Sequence, residues 1–322
     1  MQKKPWNIFI YKDKPKKDKF ELLETREDDR GADKSEHNGD DEDSFIYSML
    51  EKSDITVRKL KICGSIDAFL IFVDGLVNRK LLNEVILKNL MTGTRGLDPE
   101  EADLIDMLIN KVVNVNDVAK ENRFEKIEND ILSGFCALFL EGFDSCVLLQ
   151  VEGYEKRGIE KPENEIVVRG SHESFVEDLP TNLSIVRRLF KNRNLIVETM
   201  IVGAESNLKC AVIYQDGVVN PELPKEVKKR IDKVKSQAIL SSGMLEQYIE
   251  DNRWMLFPQI ISTERPDRAI SFLLEGKVLV ILDGSPFACA MPITFFTLYH
   301  TSADNNLRWY YGSFVSIIRM AG

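Results

Sequence analysis

Two stretches of this 322-residue chain carry one pattern at one spacing. Asp67-Ala-Phe-Leu-Ile-Phe-Val-Asp-Gly-Leu-Val-Asn78 and Lys209-Cys-Ala-Val-Ile-Tyr-Gln-Asp-Gly-Val-Val-Asn220 each run an apolar strand into Asp-Gly and then Asn, with Asp74 and Asp216 142 residues apart. Leu132-Ser-Gly-Phe-Cys-Ala-Leu-Phe-Leu-Glu-Gly142 and Leu274-Glu-Gly-Lys-Val-Leu-Val-Ile-Leu-Asp-Gly284 stand at the same distance, Glu141 to Asp283. A register kept twice without a gap marks two tandem copies of one unit.

Each copy reads as α+β. Asp54-Ile-Thr-Val-Arg-Lys-Leu-Lys-Ile62 alternates as a half-exposed strand, and Ala68 to Val73 is the continuous apolar run of a central one. Asn78 is placed to cap a helix carrying Leu82, Val85, Ile86 and Leu90 on one face; Asn220, followed by Pro221, does the same for Val227, Ile231 and Val234. Further helices are expected over Pro99 to Lys111 and Ser241 to Asp251, then one more before the late strand pair. The expected order per copy is β-β-α-α-α-β-β, a small mixed sheet packed with helices. The divisions are a charged arm (1–43), a first subdomain (44–150), a connector (151–194) and a second subdomain (195–322). The arm holds too little apolar surface to offset its ordering entropy, and Ser44 is placed to cap a short amphipathic helix, Phe45 to Leu50.

A net charge of −9 lacks the basic face that nucleic acid or anionic lipid requires. No apolar run is long enough to span a bilayer and the start lacks a signal peptide's apolar stretch, so the expectation is a soluble, unexported chain. Cys63, Cys136, Cys146, Cys210 and Cys289 show no C-x-x-C spacing, and most sit in apolar runs where a thiol packs as a small hydrophobe. His37, His172 and His300 form no zinc-binding spacing, so neither a metal nor a cofactor is expected. Asp74, Asp216, Glu141 and Asp283 each precede a glycine at a strand end, which turn formation explains without catalysis. No nucleophile, base or paired-acid set is assembled, and the chain does not read as an enzyme.

The unrepeated connector holds Pro162-Glu-Asn-Glu-Ile-Val-Val-Arg-Gly170, extended into a glycine turn, and a capped helix over Thr181 to Lys191 that carries Val186 and Leu189 inward. Arg169, Arg187 and Arg188 are candidates to converge on a phosphate or carboxylate, or else to pair with Glu173, Glu177 and Asp178 and hold the connector. A second dense segment, Thr263-Glu-Arg-Pro-Asp-Arg268 and onward to Phe287, starts a helix with proline and acid in its first turn and continues into a strand.

These two segments, with Ser53-Asp-Ile-Thr-Val-Arg58, closely resemble the A subunit of bacterial spore germinant receptors, the GerA/GerKA type, from about residue 45 to the end. The resemblance implies a protein of the inner spore membrane that works with B and C subunits to trigger germination, here as the soluble N-terminal region facing the spore core. The chain stops at about the point where such subunits enter the membrane, and Trp309-Tyr-Tyr-Gly-Ser-Phe314 suits a membrane-proximal segment. The expected role is signalling, the two copies or the partner subunits moving against one another, with Arg169, Arg187, Arg188, Glu264, Arg265, Asp267 and Arg268 as interface or relay residues. The other reading is a binding module that holds a small-molecule germinant in the cleft between the copies.

Overall fold

Both halves build the same sheet from the same series of elements. The computed structural model describes residues 52–62, 66–93, 104–109, 118–140, 143, 145–153, 165, 173–203, 206–234, 239–250, 258–293 and 297. The first repeat comprises β1 (Ile55–Ile62), β2 (Ile66–Val73), a helix α1 through Arg79–Leu81, a π-helical stretch Leu82–Leu87 and Lys88–Gly93, α2 (Leu104–Met107), β3 (Val118–Glu121), α3 (Phe124–Ile131), β4 (Phe135–Leu140) and β5 (Cys146–Gln150). The connector contributes α4 (Leu179–Leu189). The second repeat follows with β6 (Leu195–Val202), β7 (Leu208–Gln215), α5 (Glu222–Lys233), α6 (Ser242–Ile249), β8 (Ile261–Thr263), α7 (Pro266–Leu274), β9 (Val278–Leu282) and β10 (Ala288–Met291).

The five-stranded sheets have orders β1-β2-β4-β5-β3 and β6-β7-β9-β10-β8, equivalent position by position, and every ladder is antiparallel. Registers match as well: Ala68 faces Leu140 as Cys210 faces Leu282, each residue displaced by 142. The duplicated α+β architecture expected from the repeat is therefore present, but the sheets are antiparallel throughout and not mixed as expected, since every pair of neighbouring strands runs in opposite directions. One element differs from the expected order: each repeat inserts a short strand, β3 or β8, before its third helix. At four and three residues these strands are too short to carry an alternation signal.

Local chemistry explains the helix starts. Asn78 Oδ1 accepts from the amides of Lys80 and Leu81, both at 3.1 Å, and Asn220 Oδ1 accepts from Glu222 N at 3.1 Å. Ser241 Oγ accepts from Met244 N at 3.3 Å. Helix α4 starts two residues earlier than expected because its cap is Asp178, whose Oδ2 accepts from Thr181 N at 2.9 Å. Val186 points inward as expected, whereas Leu189, the last residue of the helix, is 41% exposed and the following Phe190 packs on the second sheet's cluster in its stead.

Each sheet is buried on both faces, which is why its central strands are apolar without alternation. In the first repeat α1 and α2 set Leu82, Ile86, Leu90 and Leu108 against Leu70, Leu138 and Val147, while α3 sets Ile127 and Ile131 against Ile71, Val73 and Phe139. In the second, α5 and α6 cover Val212 and Val280 with Val227, Ile231 and Leu245, and α4 and α7 cover Ile213 and Leu279 with Val186, Phe272 and Leu273. None of these apolar clusters contains residues of both repeats. Cys136, Cys146, Cys210 and Cys289 are buried free thiols; Cys63 and the histidines lie outside the described residues, as do the arm, the Phe45 to Leu50 helix and the aromatic segment from Trp309. No helix among the described residues is long and apolar enough to cross a membrane.

Candidate functional site

Helix α4 is the one described element of the connector that bonds both repeats. Its apolar side, Leu179 and Val186 with Phe175 just ahead, lies on the second sheet. Asn182, fully buried, fixes the approach to the helix: its Nδ2 donates to Val176 O at 2.6 Å and its Oδ1 accepts from Val176 N at 2.8 Å. On another side stands Arg187, 1% exposed. Its Nε donates to Asp54 Oδ2 at 2.5 Å and its Nη2 to Asp54 Oδ1 at 2.9 Å, a fork-to-carboxylate match. Its remaining donors reach Leu195 O at 3.0 Å and Asn192 O at 3.4 Å.

Asp54 belongs to the three residues that lead into β1, and all three bond across the junction, Lys52 and Asp54 to the connector and Ser53 to the second repeat. Lys52 Nζ donates to Arg193 O. Ser53 N donates to Val197 O at 3.0 Å, and Ser53 Oγ accepts from Thr199 N at 3.0 Å, so Ser53 stands in for a neighbouring strand along part of the β6 edge. Burial, aided by the Arg187 charge, pushes the Lys52 amine below its usual range. Glu128 of α3, buried nearby and 3.8 Å from Arg193, has its carboxyl raised by the same loss of water. The counterpart of Asp54 is Asn194: Asp74 N donates to Asp54 O and Asp216 N to Asn194 O, each at 2.8 Å. The duplication has kept the backbone contact and placed the charge in one copy only.

The Thr263 to Arg268 segment binds the connector rather than the other repeat. Thr263 Oγ1 donates to Glu165 Oε2 and Arg268 Nη1 to Glu165 Oε1, both at 3.0 Å. The Glu264 carbonyl accepts from Phe175 N at 2.8 Å and from Ser174 Oγ at 3.2 Å. Arg265, 1% exposed, forks onto Asp267 at 3.1 and 2.6 Å. Arg188 pairs with Glu173 at 2.8 Å. Asp283, at its Asp-Gly turn, accepts from Leu179 N at 3.1 Å, and the adjacent Gly284 N donates to Glu177 O at 2.7 Å.

The candidate residues thus divide. Arg187 lies at the junction of the repeats, and Arg188, Glu264, Arg265, Asp267 and Arg268 lie where the connector meets the second repeat; Arg169 is outside the described residues. Each described arginine of the set already holds a carboxylate, so an anionic ligand there has a protein partner to displace. Lys52, Asp54, Glu128 and Glu165 are the site residues that sequence reasoning passed over. A shallow hollow of about 260 Å³ between α5 and α6, lined by Glu226, Arg230, Lys233, Tyr248, Ile249 and Glu250, belongs to the second repeat alone. There the Arg230 guanidinium is engaged by Glu226 and by Ile249 O.

Fold and site together define a duplicated α+β domain whose two sheets are joined through a polar junction and an arginine-stapled connector. The chain belongs to the Bacillus/Clostridium GerA spore germination protein family, whose model matches residues 44–322. It is 28% identical over 269 residues to spore germination protein GerLA of Bacillus cereus, covering 83% of this chain and 54% of that protein. It is 31% identical over 270 residues to spore germination protein KA of Bacillus subtilis (strain 168), covering 83% of this chain and 49% of that one. The chain therefore spans about half the length of these relatives. Among solved structures it matches the N-terminal domain of the A subunit of the Bacillus megaterium spore germinant receptor GerK3, with a TM-score of 0.62 and 25% identity over 80% of this chain and 95% of that one.

Proposed function

We propose that this chain is the N-terminal signalling region of a nutrient germinant receptor A subunit, which passes germinant occupancy to a membrane part through a shift of its two repeats or of partner subunits against them. The observation that carries this reading is the contrast between the repeats and their junction. Each repeat encloses its own apolar clusters, and among the described residues the side-chain bonds that tie the first repeat to the connector and second repeat are polar, running through Lys52, Ser53 and Asp54 to Arg193, Val197 and Arg187, and through Ser133 and Glu128 to Lys191 and Arg193. Interfaces of that composition are the ones that move. In this reading its partners are B and C subunits, the whole protein lies in the inner spore membrane, and this region faces the spore core. The role is non-enzymatic.

The experiment is a lock across the junction. Ser53 Oγ and Thr199 Oγ1 are 3.3 Å apart on opposite repeats, close enough for Ser53→Cys and Thr199→Cys to form a disulfide. Spores carrying the oxidised pair in the full-length receptor are expected to respond poorly to nutrient and to recover under reductant. Normal germination with the lock closed would overturn the relay. Capture of an amino acid, sugar or nucleoside between the repeats is the lesser reading, since the described arginines there are already paired; a saturable thermal shift with germinant would favour it.

A further inference from the structure

We infer that Asp54 and Arg187 form a reversible clasp, whose opening frees Lys52 and Ser53 with it and parts the repeats along the β6 edge in one cooperative step. The pair is fully formed and fully buried, with side chains 1% and 3% exposed. Stability alone is a weak reason for such a pair, because apolar residues of similar size in its place are often as stable or more so. What charges supply and apolar groups do not is an open state that water welcomes: once parted, both ions regain their hydration, whereas separated apolar surfaces would resist parting.

The surroundings fit an interface built to become wet. Asp54 is flanked by a lysine that reaches the Arg193 carbonyl and by a serine that serves Val197 and Thr199 through its hydroxyl and its amide. Further along the same junction, Lys191 Nζ donates to Ser133 Oγ at 3.2 Å and Arg193 lies 3.8 Å from Glu128. Because Lys52, Ser53 and Asp54 are consecutive, release of the carboxylate removes the anchor that holds the other two in register. The clasp is the moving part of the relay proposed above and to that extent rests on that reading. Its opening, however, is a property of the chain by itself.

Hydrogen exchange at two amides reports the clasp directly: Ser53 N, which donates to Val197 O, and Thr199 N, which donates to Ser53 Oγ. In Asp54→Asn, exchange at both is expected to rise at least tenfold while the amides of β2, β4, β7 and β9 stay as protected as in the parent chain. In the double variant Asp54→Leu, Arg187→Met, exchange at the same two amides is expected to fall below the parent's without loss of thermal stability. Unchanged exchange in Asp54→Asn, or a rise shared equally by the sheet amides, overturns the clasp, and the single variant decides the matter if the double one does not fold. Spores carrying the double variant test the relay separately. If exchange behaves as expected but those spores germinate normally, the clasp stands and its signalling role falls.

Discussion

Gly276 meets the carbonyl oxygen of Val218 so closely that a β-carbon on it would lie 2.9 Å from that oxygen. The equivalent residue of the first repeat, Gly134, stands against Leu76 O in the same way, at 3.1 Å. Both have positive φ, 77° and 99°, where a side chain is strained whatever the space. Gly276→Ala is therefore expected to cost about 1–3 kcal/mol. Gly134→Ala should cost a similar amount. Urea midpoints at constant slope measure both, and a loss below about 0.5 kcal/mol, the range of ordinary surface changes, would contradict the argument.

The Glu165 staple makes a second expectation. Replacing Glu165 with alanine leaves Thr263 Oγ1 and the largely buried Arg268 guanidinium without their acceptor, at about 1–3 kcal/mol. Cleavage by trypsin within the connector should accelerate under native conditions. As a control, Lys225→Ala removes an exposed pair with Glu222 and should change stability by less than about 1 kcal/mol. Equal protease sensitivity of the two variants would show that the staple does not hold the connector.

Glu246 sets a pH dependence. Burial raises its carboxyl above the usual range, and Glu250 adds to the shift, while the Ser262 hydroxyl at 3.2 Å opposes it. Between its unfolded and folded values the folded chain binds more protons than the unfolded one, so stability falls as pH rises through that interval. The cost is absent below the unfolded value and persists above the folded one. Glu246→Gln should consequently raise the melting temperature more at pH 7.5 than at pH 4. A gain confined to the acid side would reverse the sign and refute it.

The thiols should be inert while the chain is folded. Burial pushes Cys146 up to about 12 and Cys289 up to about 11, and raises Cys136 as well, so thiolate is scarce at neutral pH. Iodoacetamide at pH 8 is expected to leave Cys136, Cys146 and Cys289 unlabelled until urea unfolds the chain, as read by peptide mass. Rapid labelling of any of them in the native state would contradict their place in the sheets.

The duplication was legible because its marks are local: a central strand buried on both faces, a tight turn and a capping asparagine fall within a dozen residues and tolerate few substitutes. The site was less so. Asp54 and Arg187 are 133 positions apart, and nothing near either residue announces the other. The matched backbone role of Asp54 and Asn194 was the available hint, since a charge added at one of two equivalent positions needs a partner. The arginines of the third helices show how context decides burial. Arg265 forks onto Asp267 and is 1% exposed, whereas its counterpart Arg123 folds back onto Glu121 and is 72% exposed. Both copies keep an acid two residues on, Glu125 and Asp267, but the first adds Glu121 where the second has Thr263, and it is this added acid that Arg123 pairs with.

Three residues separate Ile62 from Ile66, and five separate Val202 from Leu208, yet both hairpins keep corresponding strand partners. The first hairpin strand therefore repeats at 140 residues, Leu60 to Met200, while the rest of the unit repeats at 142. Pairing, not loop length, sets the register of these strands. Those two loops are accordingly the natural addresses for reporters: a dye or small tag built into each would read the separation of the repeats without entering either sheet.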